Sequence, residues 1–149
     1  VKSITTAMLL EATSLFGTGV VAGFTFYITA IELPARKEMP AEYQLTNYHL
    51  IFPRAAAFMK PFGVALTALT AASLYVTKKQ LLWIPLVAVG SLGPFTAILI
   101  QPTNKLLMST KKDDAEKVKD DIQKWGRLHN VRTYMALVGL AGAVASAIL

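Results

Sequence analysis

Four stretches of the chain carry no charged side chain: residues 12–31, 61–77, 80–104 and 133–149, of 20, 17, 25 and 17 residues. A helix needs about 20 mostly apolar residues to cross the hydrocarbon core of a bilayer, with a range of about 17–25. With one or two flanking residues added, each stretch is long enough. The pattern predicts four spans, over about 4–33, 52–77, 81–104 and 130–149. A soluble bundle would show a polar face on each helix. The last span instead reads Tyr134-Met-Ala-Leu-Val-Gly-Leu-Ala-Gly-Ala-Val-Ala and has no such face. The first apolar stretch is longer than the core of a secretory signal, so it reads as a retained span. The expected fold class is all-α, an integral membrane four-helix bundle forming a single domain over residues 1–149.

Between the third and fourth spans the period changes. Ala115, Val118, Ile122, Trp125 and His129 step by three, four, three and four, which is one stripe of a helix. The remaining faces alternate in charge, with Asp113 and Lys117, and Asp120 and Lys124, at the supportive four-residue spacing. This predicts an amphipathic surface helix over about 112–129, with Trp125 as an interfacial anchor. If that helix runs on into the fourth span, Trp125, His129 and Arg132 share one face. Small residues recur four apart at Gly19 and Gly23, Gly139 and Ala143, and Gly142 and Ser146, as expected where helix backbones pack closely within one chain. Pro85, Pro94 and Pro102 lie in or near the third span, and Gly93-Pro94 is the expected kink.

Only 16% of the residues are charged and the formal net charge is +6. In so apolar a chain the surplus suits a charged membrane surface rather than nucleic acid. The connections after the first and third spans, with their edges, hold twelve Lys and Arg residues. The opposite side holds three, Lys2, Lys78 and Lys79. The excess places both long connections on the cytosolic side or its equivalent. The chain has no cysteine, which excludes disulfides, thiolate metal sites and a cysteine nucleophile.

Polar residues inside spans are costly and point to function by default. Thr25, Thr29, Glu32 and Arg36 share one face of the first span; Gln101 and Asn104 lie three apart at the same end of the third. Tyr48, His49 and Arg54 precede or open the second span on that side. Glu11 is isolated on the opposite half of the first span and is expected to bond to a neighbouring helix. The local alternatives are a snorkelling Glu32–Arg36 pair and helix-end capping by Gln101 and Asn104. No zinc, P-loop, dinucleotide or serine-hydrolase motif occurs, and no Glu-x-x-His repeat for a di-iron site. Two histidines, His49 and His129, near helix ends give no spacing that demands haem. One imidazole, one cation and one amide beside an apolar cavity suffice to deprotonate a weak carbon acid and stabilise its enolate.

Gly93-Pro94-Phe95-Thr96, then Gln101-Pro102-Thr103-Asn104 and Leu106-Leu107, resemble the anthrone oxygenase-like family, and Trp125-Gly126-Arg127-Leu128-His129-Asn130-Val131-Arg132 fits the same pattern. The motif resemblance covers about Gly93–Arg132. It implies a small four-span membrane protein. It further implies an activity of the noranthrone monooxygenase type, in which an anthrone is oxidised to an anthraquinone by molecular oxygen with no evident cofactor. Asn104, Trp125, His129 and Arg132 match the motif positions. On a chemical reading, His129 accepts the proton, Arg132 and Asn104 stabilise the enolate, and Trp125 stacks on the ring system. Gln101, Glu32, Arg36 and His49 complete the expected substrate-binding set, with no metal ligand among them.

The leading expectation is therefore a membrane oxygenase acting on a lipophilic polycyclic aromatic. The alternatives are a non-catalytic accessory subunit of a larger membrane complex and a carrier of a lipid-like ligand. Membrane lipid is the expected surrounding partner. An enclosed pocket flanked by His129, Arg132 and Asn104 favours enzyme or carrier, and a solidly packed interior favours the subunit.

Overall fold

Helix α1 (Thr6–Lys37) starts where the Thr5 side chain accepts a bond from the Met8 amide, at 3.3 Å. Three more long helices follow: α2 (Ala41–Thr77), α3 (Gln80–Ser109) and α4 (Lys112–Ile148). The structure, a computed structural model, describes residues 5–149. The predicted start of the first span at residue 4, and Lys2 of the charge count, lie outside them. All four helices are long and apolar enough to cross a membrane, and the described residues contain no strand.

Short connections make neighbouring helices antiparallel. One end of the bundle carries the 38–40 turn and the α3–α4 junction; the other carries the start of α1, the end of α4 and the α2–α3 turn. At that terminal end, Lys78 closes α2 in the left-handed region, at φ 57°. Lys79 then reaches Glu11 of α1 at 3.0 Å and the Ser146 carbonyl of α4 at 2.9 Å. Glu11, expected to bond to a neighbouring helix, is thus paired instead with the α2–α3 turn. α1 packs against α4 and α2, and α3 lies against α4. Two apolar clusters fill the interior. Val21, Ala22, Leu66, Val89, Leu92 and Ala136 form the middle one. Leu45, Tyr48, Ile100, Leu107, Val118 and Trp125 belong to the one at the connection end.

Gly139 and Gly142 of the last span make close approaches, as expected, whereas the Gly19–Gly23 step does not. A Cβ on Gly142 would lie 2.5 Å from Ile84 Cβ, and one on Gly139 would lie 3.2 Å from Ala88 Cβ, so these two set the α3–α4 contact. Gly17 meets Leu66 in the same way at 2.6 Å. Gly23 has nothing within 4 Å, so the Gly19–Gly23 step is not where the helices meet most closely.

The largest departures from the sequence pattern lie at the connection end. α2 begins at Ala41, well before residue 52, because the helix continues past the apolar run into polar sequence. α1 and α3 likewise run on, to Lys37 and Ser109. There is no separate surface helix over 112–129. Lys112–Val118 is a 3-10 segment, and Lys119–Ile148 is one continuous α-helix. The stripe itself is real: Ala115, Val118, Ile122, Trp125 and His129 are all buried in the protein core. The ion pairs follow the tighter winding. Lys117 bonds Asp114 at 2.6 Å and Lys119 approaches Glu116 at 3.4 Å, both three apart, since a 3-10 turn brings i and i+3 into line. α3 breaks its regular winding at Ser91, consistent with Pro94 lacking the N–H that would bond the Gly90 carbonyl.

Gly142→Ala should therefore lower the thermal midpoint in detergent, since forcing a methyl against Ile84 costs about 1–3 kcal/mol. Gly23→Ala, with open space around it, should be neutral or stabilising by up to about 1 kcal/mol. Equal shifts for both variants would contradict this packing.

Candidate functional site

Two prolines shape the site's frame. The Pro34 and Pro102 rings would clash with the carbonyls of Ala30 and Ile98, four residues earlier, and neither proline has an N–H to donate. In each case the helix widens just before the proline. Ile28–Glu32 and Thr96–Ile100 are single π-helical turns, a feature common at functional sites. Both lie toward the connection end, and polar side chains converge between them.

Asn104 of α3 is the hub. Its Oδ1 accepts from Tyr48 Oη of α2 at 2.7 Å and from Trp125 Nε1 of α4 at 3.0 Å. An indole N–H can only donate, so the amide orientation is fixed. Nδ2 is then the donor group, and its one bond, to Gln101 Oε1, is long at 3.4 Å. Tyr48 stacks on Phe52 and meets the Trp125 ring edge-on.

His129 stacks on Trp125 with ring centroids 5.1 Å apart. Its Nε2 lies 3.3 Å from the Thr25 carbonyl, which can only accept, so Nε2 carries a proton. In the neutral ring Nδ1 is then a lone-pair acceptor. It is buried and has no partner among the described residues. The Thr25 carbonyl also accepts from Thr133 Oγ1 at 3.0 Å, and Thr29 donates to Asn130 Oδ1 at 3.1 Å.

Glu32 and Arg36 form an ion pair one turn apart. Arg36 is buried, with its guanidinium 5.8 Å over the Trp125 ring, and its Nε and Nη1 have no partner among the described residues. Arg132 is half-buried, its Nε enclosed and unbonded, and it stands three residues after His129 on α4. The cluster thus sets one carboxylate against two guanidinium groups.

The structure brings together Glu32, Arg36, Gln101, Asn104, Trp125 and His129, with Arg132 at the margin. It does not bring in His49. That ring bonds the Leu107 carbonyl at 2.7 Å and faces a separate groove of about 530 Å³ beside Lys111 and Lys112. Trp125 is already stacked on His129 and bonded to Asn104, so in this state its ring orders the cluster. The cavity expected beside His129 and Asn104 is filled: both are 2% exposed. A second groove, of about 460 Å³, opens between α3 and α4 and reaches Val131 and Met135. Among the described residues no group of three His, Asp or Glu side chains could hold a metal ion.

The reading of the residues gave no role to Tyr48, Asn130 or Thr133. Thr133 had a signal, standing four residues after His129. Tyr48 stood at the right end with His49 and Arg54, but nothing pointed to its bond with Asn104, because the two lie 56 residues apart. Depth follows from helix geometry. At about 1.5 Å per residue, a hydrocarbon core of about 30 Å that starts level with Ile148 ends level with His129, and one that starts level with Thr6 ends level with Thr25. On that placement the cluster lies at the connection-side boundary of the core.

Asn104→Leu should cost about 1–3 kcal/mol for each buried donor it strands, and Tyr48→Phe only about 0.5–1.5 kcal/mol. The double variant should be less destabilised than the sum, as read by thermal unfolding in detergent. Strict additivity would mean that the Tyr48–Asn104 bond is not made.

A family model described as anthrone oxygenase matches residues 48–142. The match takes in Tyr48, Gln101, Asn104, Trp125, His129 and Arg132, and leaves the Glu32–Arg36 face of α1 outside. No curated protein and no solved structure matches the chain. Since the match spans more than half of the sequence and includes the hub that joins α2, α3 and α4, the chain belongs to the anthrone oxygenase family.

Proposed function

We propose that the protein is a membrane oxygenase that converts a lipophilic anthrone-type aromatic to the corresponding quinone with molecular oxygen. The observation that carries this reading is the His129 ring. Its Nε2 is held by a backbone carbonyl, and its Nδ1 is left as a buried acceptor without a partner. That is the state of a general base waiting for a proton.

The chemistry needs few groups. His129 Nδ1 takes a proton from the activated ring carbon. Arg132, and Asn104 through Nδ2, stabilise the enolate oxygen. The electron-rich enolate carbon is oxidised by O2 and acquires one oxygen atom. The second oxygen atom leaves as water, so one anthrone and one O2 give one quinone and one water. Trp125 holds the His129 ring and the Asn104 amide in register. Access requires a movement, because both polar groups are covered. On the α2 side, residues 49–65 include no buried residue although Tyr48 and Leu66 on either side are buried. Pro53 and Pro61 lie in that segment and weaken its backbone ladder.

The closed packing of the cluster favours a second reading, a non-catalytic subunit whose exposed apolar faces meet a larger membrane complex. Purified protein in lipid nanodiscs, given an anthrone, should consume one O2 per quinone formed. His129→Ala should lower kcat by roughly 10²–10⁴-fold while the protein stays folded. Full turnover in His129→Ala would remove the proton-acceptor role. No oxidation of any anthrone by the parent protein would leave the subunit reading.

A further inference from the structure

The groove that holds His49 has a chemistry the reaction at His129 does not use. It has a volume of about 530 Å³ and lies between α2 and the α3–α4 junction. Its charged side chains are Lys111, Lys112 and Asp113. None of the three pairs with an opposite charge among the described residues, because Lys117 pairs with Asp114 and leaves Asp113 free. Two ammonium groups therefore stand against one carboxylate, and the groove carries a net positive charge. His49 Nε2 lies 2.7 Å from the Leu107 carbonyl, which can only accept, so Nε2 carries a proton. Its Nδ1 has no partner among the described residues and is not enclosed, so a protonated ring offers a third donor.

The hydroxyls of the groove are committed the other way. Thr46 Oγ1 donates to the Glu42 carbonyl at 2.8 Å. Ser109 Oγ and Thr110 Oγ1 both donate to the Leu106 carbonyl, at 3.0 and 2.8 Å. Each hydroxyl has one proton, so these three present only lone pairs to the groove, as does the Asp113 carboxylate. A ligand that satisfies this set carries negative charge for the cations and O–H groups for the acceptors. A bare phosphate leaves the acceptors without donors. A choline headgroup has no hydrogen to donate, an ethanolamine headgroup leaves one cation unmatched, and a serine headgroup brings a second carboxylate toward Asp113.

Depth supplies the rest. His49 stands 28 residues before Thr77. Tilted by about 20°, the average for membrane helices, α2 rises about 40 Å over them. A core about 30 Å thick that starts level with Thr77 therefore ends about 10 Å short of the groove, which opens at the outer part of the headgroup layer. On the core side the exposed apolar side chains of Leu50, Ile51 and Leu106 follow, a surface for acyl chains. Basic pockets at this level on the cytoplasmic side suit anionic lipid headgroups.

We infer that this groove binds one anionic phospholipid whose headgroup is a polyol, glycerol or inositol. The phosphate meets Lys111, Lys112 and His49, and the headgroup hydroxyls donate to Asp113 and the threonine and serine oxygens. The site is independent of the reaction proposed at His129.

The test is lipid titration of the full-length protein in mild detergent, with bound lipid counted by native mass spectrometry. Phosphatidylinositol or phosphatidylglycerol should bind one to one, about tenfold tighter than phosphatidylserine, with phosphatidylcholine weaker still. Lys111→Gln combined with Lys112→Gln should weaken that binding by about tenfold or more, since each basic residue near a membrane surface contributes roughly fivefold. Lys119→Gln combined with Lys124→Gln removes the same charge elsewhere on the surface and should leave it unchanged. Asp113→Ala should narrow the preference for inositol over serine. Equal losses in the two lysine pairs would show diffuse surface charge and overturn the site. Phosphatidylserine binding as tightly as phosphatidylinositol would overturn the polyol assignment. Soluble inositol phosphate binding as tightly as the whole lipid would overturn the lipid in favour of a free phosphorylated polyol.

Discussion

The carbonyl oxygen of Asn104 holds the connection end of this protein together. It accepts from a phenol on α2 and an indole on α4 while sitting on α3, so one buried acceptor joins three helices. Tyrosine and tryptophan are large apolar bodies that each carry one donor. Burying them gains apolar area only if that donor finds an acceptor. Asn104 supplies it for both, and the remaining arrangement follows. The indole is locked, His129 stacks on it, and Arg36 covers it. α1 joins through the Thr25 carbonyl, which ties down the far edge of the imidazole.

The opposite end solves the same problem with charge. Lys79 bridges Glu11 of α1 and the last turn of α4, so the α2–α3 turn clasps the helix ends on either side. Between the two polar ends the interior is held by apolar side chains and by glycines that let α3 and α4 touch. Serine and threonine hydroxyls in this region bond mostly to carbonyls of the preceding helical turn, as with Thr18 to Ser14 and Thr70 to Leu66. Such bonds satisfy the hydroxyl locally, and Ser14 Oγ and Thr70 Oγ1 add one bond across α1 and α2 at 2.8 Å. Polar groups that remain without partners are therefore informative. Those nearest the connection end belong to Arg36, His129 and Arg132.

Family membership and chemistry stand on different footings. The matched region contains the Asn104 hub, His129 and Arg132, and it accounts for the bundle and the polar constellation. Glu32 and Arg36 come from α1, outside the match, yet Arg36 lies over the central indole. The electrostatic character of the site thus depends partly on a helix that the family pattern does not describe. A fold of this kind can be shared by proteins with different reactions, so the reaction has to be argued from the side chains themselves.

The sequence by itself determined the four apolar helices, their antiparallel order and the single apolar stripe from Ala115 to His129. Charge-free length and helical period are local properties, and they survive any tertiary arrangement. It also placed Glu32, Arg36, Gln101, Asn104, Trp125 and His129 at one end, because residues near the same ends of antiparallel spans must lie at similar depth. Only the tertiary structure decided what these residues do there. It joined the predicted surface helix to α4, because packing against Leu45, Tyr48 and Leu107 outcompetes a headgroup layer for the same stripe. It left His49 outside the cluster, since one residue along a helix turns a side chain by about 100° and sends it to another face from Tyr48. It also chose the orientation of the Asn104 amide and the free nitrogen of His129. Those choices rest on distances between groups many residues apart, which no local pattern encodes.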